Sequence, residues 1–153
     1  MTTTPDHDNF DGAKVALFLG SRLIVIRRDD RPDIPWPDTW DFPGGGRAGT
    51  ETPFQTVARE TREEVGLTLR PAHVIWQRLC DRPGHTPVWF FVARLPAQAV
   101  RQVVFGHEGQ GWRLATVDEL LHRADVAGAL QQRLALWRAG AAAGDAARAG
   151  LSV

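Results

Sequence analysis

Two apolar runs near the start of the chain, Lys14 to Leu19 (KVALFL) and Arg22 to Arg27 (RLIVIR), are separated by Gly20-Ser21. Apolar runs on either side of a two-residue glycine turn predict a β-hairpin. The runs are near-continuous rather than alternating, so these strands should be buried on both faces, with layers above and below the sheet. Thr86 to Leu95 (TPVWFFVARL) is rich in aromatic and β-branched residues and predicts a central strand. Further strand candidates are Leu67 to Arg70, His73 to Cys80 and Gly111 to Ala115, with DRPGH at 81–85 as a turn. Trp40 to Phe42 reads as a short strand, kept extended by Pro43.

From Pro53 the period changes. Thr52 is a good N-cap, Pro53 suits the first helical position and Gln55 completes a capping box. Gly66 is a natural stop, which predicts a helix over 53–65. At about 100° per residue, Phe54, Ala58, Thr61 and Val65 share an arc that should face the core. Glu60, Glu63 and Glu64 share another arc within one turn, with Arg59 beside Glu63 on the flank. Carboxylates at i, i+3 and i+4 repel one another. Either this is a solvated face, or the three hold a hard cation such as Mg²⁺ or Mn²⁺, which takes carboxylate oxygens together with water and phosphate. The upstream Gly44-Gly45-Gly46, a backbone that can approach a ligand closely, favours the cation. Later, Thr116 caps a helix beginning at Val117, and Leu130, Leu134 and Trp137 mark a second amphipathic helix. A mixed α/β sheet with helices on both faces follows.

The 153 residues suggest one domain, with 1–12 as a loose arm and the Ala/Gly-rich 140–153 as a frayed helix or disordered tail. Lys plus Arg equals Asp plus Glu at 18 each, which argues against a general binder of nucleic acid polymer or membrane surface. Any small-molecule anion would then have to be held by local features, in a monomer or homodimer. Cys80 is the single cysteine and lies in an apolar run, so a buried thiol is expected. The polar start is unlike a signal peptide and no apolar run approaches a membrane span, so the expected location is cytoplasmic.

The run GGGRAGTETPFQTVARETREEVGL carries a more specific message. Gly45, Glu51, Arg59-Glu60, Glu63-Glu64 and Gly66-Leu67 stand at the spacing of the Nudix hydrolase signature, and every fixed position matches. The chain therefore resembles the Nudix hydrolases, whose fold is an α/β/α sandwich; 13–139 would be that domain. Thr61 departs, standing where the family usually has an aliphatic residue. The resemblance implies hydrolysis of a diphosphate linked to another moiety, very often a nucleoside diphosphate derivative, with Mg²⁺ or Mn²⁺ as cofactor. It implies Glu60, Glu63 and Glu64 as the metal set, with the Gly44 carbonyl as a backbone ligand and Glu60 also a proton acceptor. Arg59 and Glu51 would pair to orient Glu60, or Arg59 would be purely structural. The base is not fixed within the family. Glu108, in the run HEGQGWRL, lies in a later loop like that of MutT-type members, where a glutamate serves as base or further ligand.

Substrate residues are less legible. Trp36, in the proline-rich loop 29–39, either stacks a nucleobase or caps the core, and Arg27 is a further candidate contact. His85 and His107 stand near turns, as candidate phosphate contacts or incidental residues. The MutT-like loop argues for a nucleoside triphosphate, including oxidised ones. Pro83 suggests an ADP-ribose or nucleotide-sugar pyrophosphatase, although a turn explains it equally well. A non-catalytic nucleotide-binding module of the same fold would be expected to have lost carboxylates that are retained here. Gly44 to Gly49 also reads as G-x-G-x-x-G, but a dinucleotide site needs its helix to open at the glycines, and here the helix starts at Pro53.

Overall fold

The computed structural model describes residues 9–151. In chain order the elements are β1 (Gly12–Leu19), β2 (Arg22–Arg27), β3 (Trp40–Asp41), β4 (Gly44–Gly46), α1 (Pro53–Val65), β5 (Val74–Arg82), β6 (His85–Leu95), β7 (Gly111–Ala115), α2 (Val117–His122) and α3 (Leu130–Arg138). The sheet runs β3-β2-β1-β6-β5, with β4 on β1 and β7 on β2. β1 and β6 are parallel and the other pairings antiparallel, which makes the sheet mixed.

Period-2 alternation within the apolar runs sorts their side chains between two cores. Val15, Leu17, Ile24, Ile26 and Phe91 pack with Phe54, Val57 and Val65 of α1. Ala16, Phe18, Leu23, Val25 and Phe90 face the other way, against Leu120 of α2 and Leu130 and Leu134 of α3. One helix below and two above give the expected α/β/α sandwich.

The feature that makes the site is a fork in this sheet. A strand has two edges. β6 takes one edge of β1 over Gly12 to Leu19, and β7 takes one edge of β2 over Leu23 to Arg27. The facing edges of β1 and β2 pair only at Phe18↔Leu23 and Leu19↔Arg22, beside the turn. Beyond that they separate, and 40–46 enters the gap. β3 continues the ladder on β2 (Ile26↔Asp41, Arg27↔Trp40), and β4 continues it on β1 (Ala13↔Gly45, Lys14↔Gly44). Gly44–Gly46 thus form a short strand, because the fork leaves an unpaired edge that their backbone satisfies.

Other boundaries move for similar reasons. Leu67 and Leu69 are buried and Thr68 and Arg70 exposed, the alternation of a strand, yet this stretch finds no edge to pair with and runs into a 3₁₀ turn at Pro71–His73. The 81–85 turn contracts to Pro83-Gly84, since β5 reaches Arg82 and β6 starts at His85. Of the expected arm, residues 1–8 lie outside the described range. Phe10 is buried under the Arg47 guanidinium, 4.4 Å from its ring centre, and Gly12 already belongs to β1. The described part of the Ala/Gly-rich tail, through Leu151, is irregular but held, which corrects the frayed or disordered expectation. The Trp76 indole donates to the Ala141 carbonyl at 2.9 Å and Gln77 to that of Gly144 at 2.8 Å. Ala149 is fully buried, and its carbonyl accepts from Phe54 N, one of the N–H groups that the first turn of α1 leaves unpaired. Cys80 is half-buried rather than core, with its thiol pushed up by burial. No helix among the described residues is long and apolar enough to cross a membrane.

Candidate active site

α1 forms as its caps require. The Thr52 hydroxyl accepts from Gln55 N at 3.2 Å, Gln55 Oε1 accepts from Thr52 N at 2.9 Å, and Gly66 closes the helix at φ 72°. Phe54, Val57, Thr61 and Val65 are buried, which turns Glu60 and Glu64 toward β4. The approach is close enough to demand glycine. A Cβ on Gly45 would stand 2.6 Å from Glu60 Cδ, and one on Gly44, at φ 137°, 2.1 Å from the Ala13 carbonyl oxygen.

Glu64 is mostly enclosed here and accepts from Gly44 N at 2.8 Å. Burial pushes its carboxyl up to about 7, with Asp41 and Glu60 adding to the rise and Lys14 and the Gly44 N–H opposing it. Lys14 projects from β1 into the same space. Its ammonium donates to Asp41 Oδ2 at 2.9 Å, to the Gly44 carbonyl at 3.2 Å and to that of Phe42 at 3.3 Å. Asp41 Oδ2 also takes Arg28 Nη1 at 2.9 Å.

Arg59 organises the flank. It meets Glu51 through two nitrogens, Nε to Oε2 at 2.7 Å and Nη2 to Oε1 at 3.1 Å, and gives Nη2 to the Gly46 carbonyl at 2.9 Å. Its Nη1 holds Glu60 Oε1 at 2.9 Å. Glu51 is further fixed by Ala48 N at 2.8 Å and the Thr56 hydroxyl at 3.1 Å. The paired guanidinium holds the Glu51 carboxyl below its usual range, and Glu51 raises Arg59 in return. The pairing is therefore the one expected, and it does reach Glu60.

Glu63 behaves differently. Its side chain is 59% exposed, and its contact is with Arg59 Nη1 at 3.3 Å. It lies one residue round the helix from the face that meets β4. Glu60 and Glu64 converge on the glycines, and Glu63 does not join them.

The loop bearing Glu108 is seated on the end of α1. Val104 N donates to the Val65 carbonyl at 2.9 Å and Gly106 N to that of Glu64 at 2.8 Å, so loop amides satisfy carbonyls left free at a helix end. A Cβ on Gly106 would stand 2.4 Å from the Glu63 carbonyl oxygen. Glu108 is exposed and shares with Glu64 and Asp41 a cavity of about 270 Å³.

Arg27 and Trp36 are placed apart from this cluster. Arg27 gives Nε to Asp38 at 2.9 Å and Nη1 to Asp125 at 2.8 Å, and lies over the Trp40 ring, so its charge is already answered. Trp36 is 57% exposed and does not cap the core. The exposed His85 is at the rim of a second, larger groove, and His107 is exposed in the Glu108 loop.

Three residues here were missed in the sequence: Lys14, Asp41 and Arg28. The available signal was a charge inside an otherwise buried strand, as in KVALFL and WDF.

Among the described residues no three acidic, histidine or cysteine side chains lie close enough together to hold a metal ion. Glu60 and Glu64 instead provide two hard oxygen donors at the Gly44–Gly45 backbone, with Asp41 in the same cavity as Glu64 and the Gly44 carbonyl beside them. A lysine ammonium already sits on two of these groups, so the pocket suits positive charge. Such a set fits Mg²⁺ or Mn²⁺ completed by water and substrate phosphate rather than an all-protein site.

The family model of the NUDIX domain matches residues 9–136. This chain belongs to the Nudix family. Among its curated relatives, an RNA pyrophosphohydrolase of Xanthomonas oryzae pv. oryzae is 43% identical over 101 residues, covering 60% of this chain and 43% of that protein. The chain spans less than half the length of the curated relatives it matches. The MutT protein of Methanosarcina mazei Go1 shares the fold at a TM-score of 0.65 and 18% identity, over 84% of this chain and 91% of that one. A bifunctional NMN adenylyltransferase/ADP ribose pyrophosphatase of Francisella tularensis, complexed with AMP and a Mn ion, does so at 0.64 and 16%, over 86% of this chain and 42% of that one. These two likenesses concern the fold.

Proposed function

We propose that the protein is a divalent-metal-dependent pyrophosphohydrolase that cleaves a phosphoanhydride at a nucleotide 5′ end by water attack on phosphorus. The observation that carries this is the convergence of Glu60 and Glu64 on Gly44-Gly45, with Glu60 held by the Arg59–Glu51 pair. When bound, the ion neutralises phosphate charge and lowers the pKa of the attacking water. The chain supplies the rest. Glu64, Glu60 and Asp41 would hold the ion together with the Gly44 carbonyl, and Lys14, which donates to Asp41 and to that carbonyl, would serve a substrate phosphate. Glu63 is outside this set unless its side chain turns. A carboxylate takes the proton of the water. Glu60, held by Arg59, is one candidate for that role, and Glu108, which lines the same cavity as Glu64, is the alternative base.

The favoured substrate is a triphosphorylated RNA 5′ end, releasing pyrophosphate and a 5′-monophosphate, because curated relatives 39% and 43% identical bear the name RNA pyrophosphohydrolase. This reverses the expectation, drawn from zero net charge, that no nucleic acid polymer is a partner; one chain end needs only local contacts. Free nucleoside triphosphates, including oxidised ones, are the second reading, supported by the MutT-like run at Glu108. The test is hydrolysis of triphosphorylated RNA and nucleoside triphosphates, read as released phosphate or pyrophosphate, and of ADP-ribose and dinucleoside polyphosphates, read as released nucleotide, with Mg²⁺ or Mn²⁺ against EDTA. Turnover of none of them with either ion would leave a binding module.

A further inference from the structure

A second hollow opens beside the cavity and shares Arg28 and Asp41 with it. It is a groove of about 810 Å³ running from Gly45 past Trp36 to Arg82 and Arg133. Small-molecule pockets span about 300–1,000 Å³. At the upper end of that range, the groove has room beyond what a single nucleotide fills.

Its cations are unequally answered. Lys14 and Arg28 share Asp41, and Arg82 meets Asp11 at 2.8 Å. Arg133, on α3, is half-buried and has no carboxylate or carbonyl partner for its guanidinium among the described residues. Burial, with Arg82 adding to it, draws its pKa below the ordinary value. Enclosing a guanidinium beside another cation with no counter-ion is unfavourable. An arriving anion would relieve it, and a forked guanidinium matches phosphate oxygens.

The other wall presents an aromatic face that the loop works to hold outward. Trp36 and Asp38 both sit at φ 52°, each costing about 1 kcal/mol for a residue with a Cβ. Around them the Trp36 carbonyl accepts from the Thr39 hydroxyl at 2.7 Å, Arg28 Nε holds the Pro35 carbonyl at 3.0 Å, and Asp38 binds Arg27. The indole edge lies by Gly128, where a Cβ would stand 3.5 Å from Nε1. A strained, well-tied loop displaying a tryptophan at a groove is the arrangement of a stacking platform.

We propose that this groove binds the second nucleotide of a single-stranded oligonucleotide, with the linking phosphodiester on Arg133 and Arg82 and a base stacked on Trp36. The inference rests on the hydrolase reading and names its substrate class, a chain rather than a mononucleotide.

Steady-state hydrolysis should be compared for wild type and Arg133→Gln on a nucleoside triphosphate and on 5′-triphosphorylated oligomers of two to six nucleotides, in RNA and DNA. Arg133→Gln should raise KM on oligomers about tenfold with kcat unchanged and leave the mononucleotide unaffected, and Arg133→Lys should recover part of the loss. A log-log salt slope shallower by about 0.7 on the oligomer would mark one lost phosphate contact. Equal effects on mononucleotide and oligomer, or none on either, overturn the groove assignment. A binding arm is independent of turnover: a 5′-monophosphorylated oligomer, followed by fluorescence anisotropy, should bind wild type more tightly than Arg133→Gln or Trp36→Ala. If no substrate is hydrolysed yet this order holds, the hydrolase reading fails and the groove stands; if hydrolysis proceeds and the order is absent, the reverse. Equal losses on RNA and DNA point to a phosphodiester contact alone.

Discussion

Glu64→Gln should make the metal-free protein more stable at alkaline pH while removing most of its activity. The folded carboxyl is raised from its ordinary 4.5 to about 7, chiefly by burial. A group whose folded pKa lies above its unfolded one contributes stability that is complete below the unfolded value and lost as pH rises through the folded one. Between 4.5 and 7 that loss amounts to roughly 3 kcal/mol at 1.36 kcal/mol per tenfold change. Glutamine carries no charge to desolvate, and its side-chain oxygen can still accept from Gly44 N, which Glu64 does at 2.8 Å. The variant should therefore gain on wild type by roughly 3 kcal/mol between about pH 4.5 and pH 8.5. Urea unfolding in EDTA at several pH values across this range measures it directly. Adding Mg²⁺ at pH 8.5 should then stabilise wild type and do little for the variant, because only the carboxylate gives the ion an anionic oxygen. A difference that stays flat with pH, or a variant less stable at pH 8.5 than at pH 4.5 relative to wild type, would refute the claim that Glu64 is a strained anion awaiting a cation.

Four further outcomes follow from the same geometry. Thr61 is fully buried and its hydroxyl has no hydrogen-bond partner, so Thr61→Val should stabilise by about 1 kcal/mol; a lower urea midpoint would count against it. Gly45→Ala places a methyl 2.6 Å from Glu60 Cδ; that side chain can swing away, so the fold should survive while kcat falls at least tenfold, as circular dichroism and turnover together would show. Arg59→Lys keeps the charge but not the fork that spans Glu51, Glu60 and the Gly46 carbonyl, and should cost about tenfold in kcat with near-normal KM; an unchanged kcat would make the pair merely structural. Glu108→Gln should lower the rate about 10²–10⁴-fold if Glu108 is the base or a ligand, and turnover within about threefold of wild type removes it from the site.

What the sequence determined by itself was everything whose partner lies a few residues away. The helix over 53–65 was readable to its ends because Thr52, Gln55 and Gly66 satisfy its termini locally. The β1–β2 hairpin follows from two apolar runs and one glycine turn, and the spacing of Glu60 and Glu64 put both on one face of that helix. The direction of Glu63 was not readable, because it depends on which neighbouring arc of α1 meets β4. Nor was the role of 40–46: a glycine run becomes a strand only when β1 and β2 part and leave edges to fill. Lys14 meets Asp41, Gly106 seats the Glu108 loop on α1, and Ala149 accepts from α1's first turn, all across long stretches of chain. Those contacts answer charges and backbone groups that the fold itself exposes, and such needs arise only once the layers are packed.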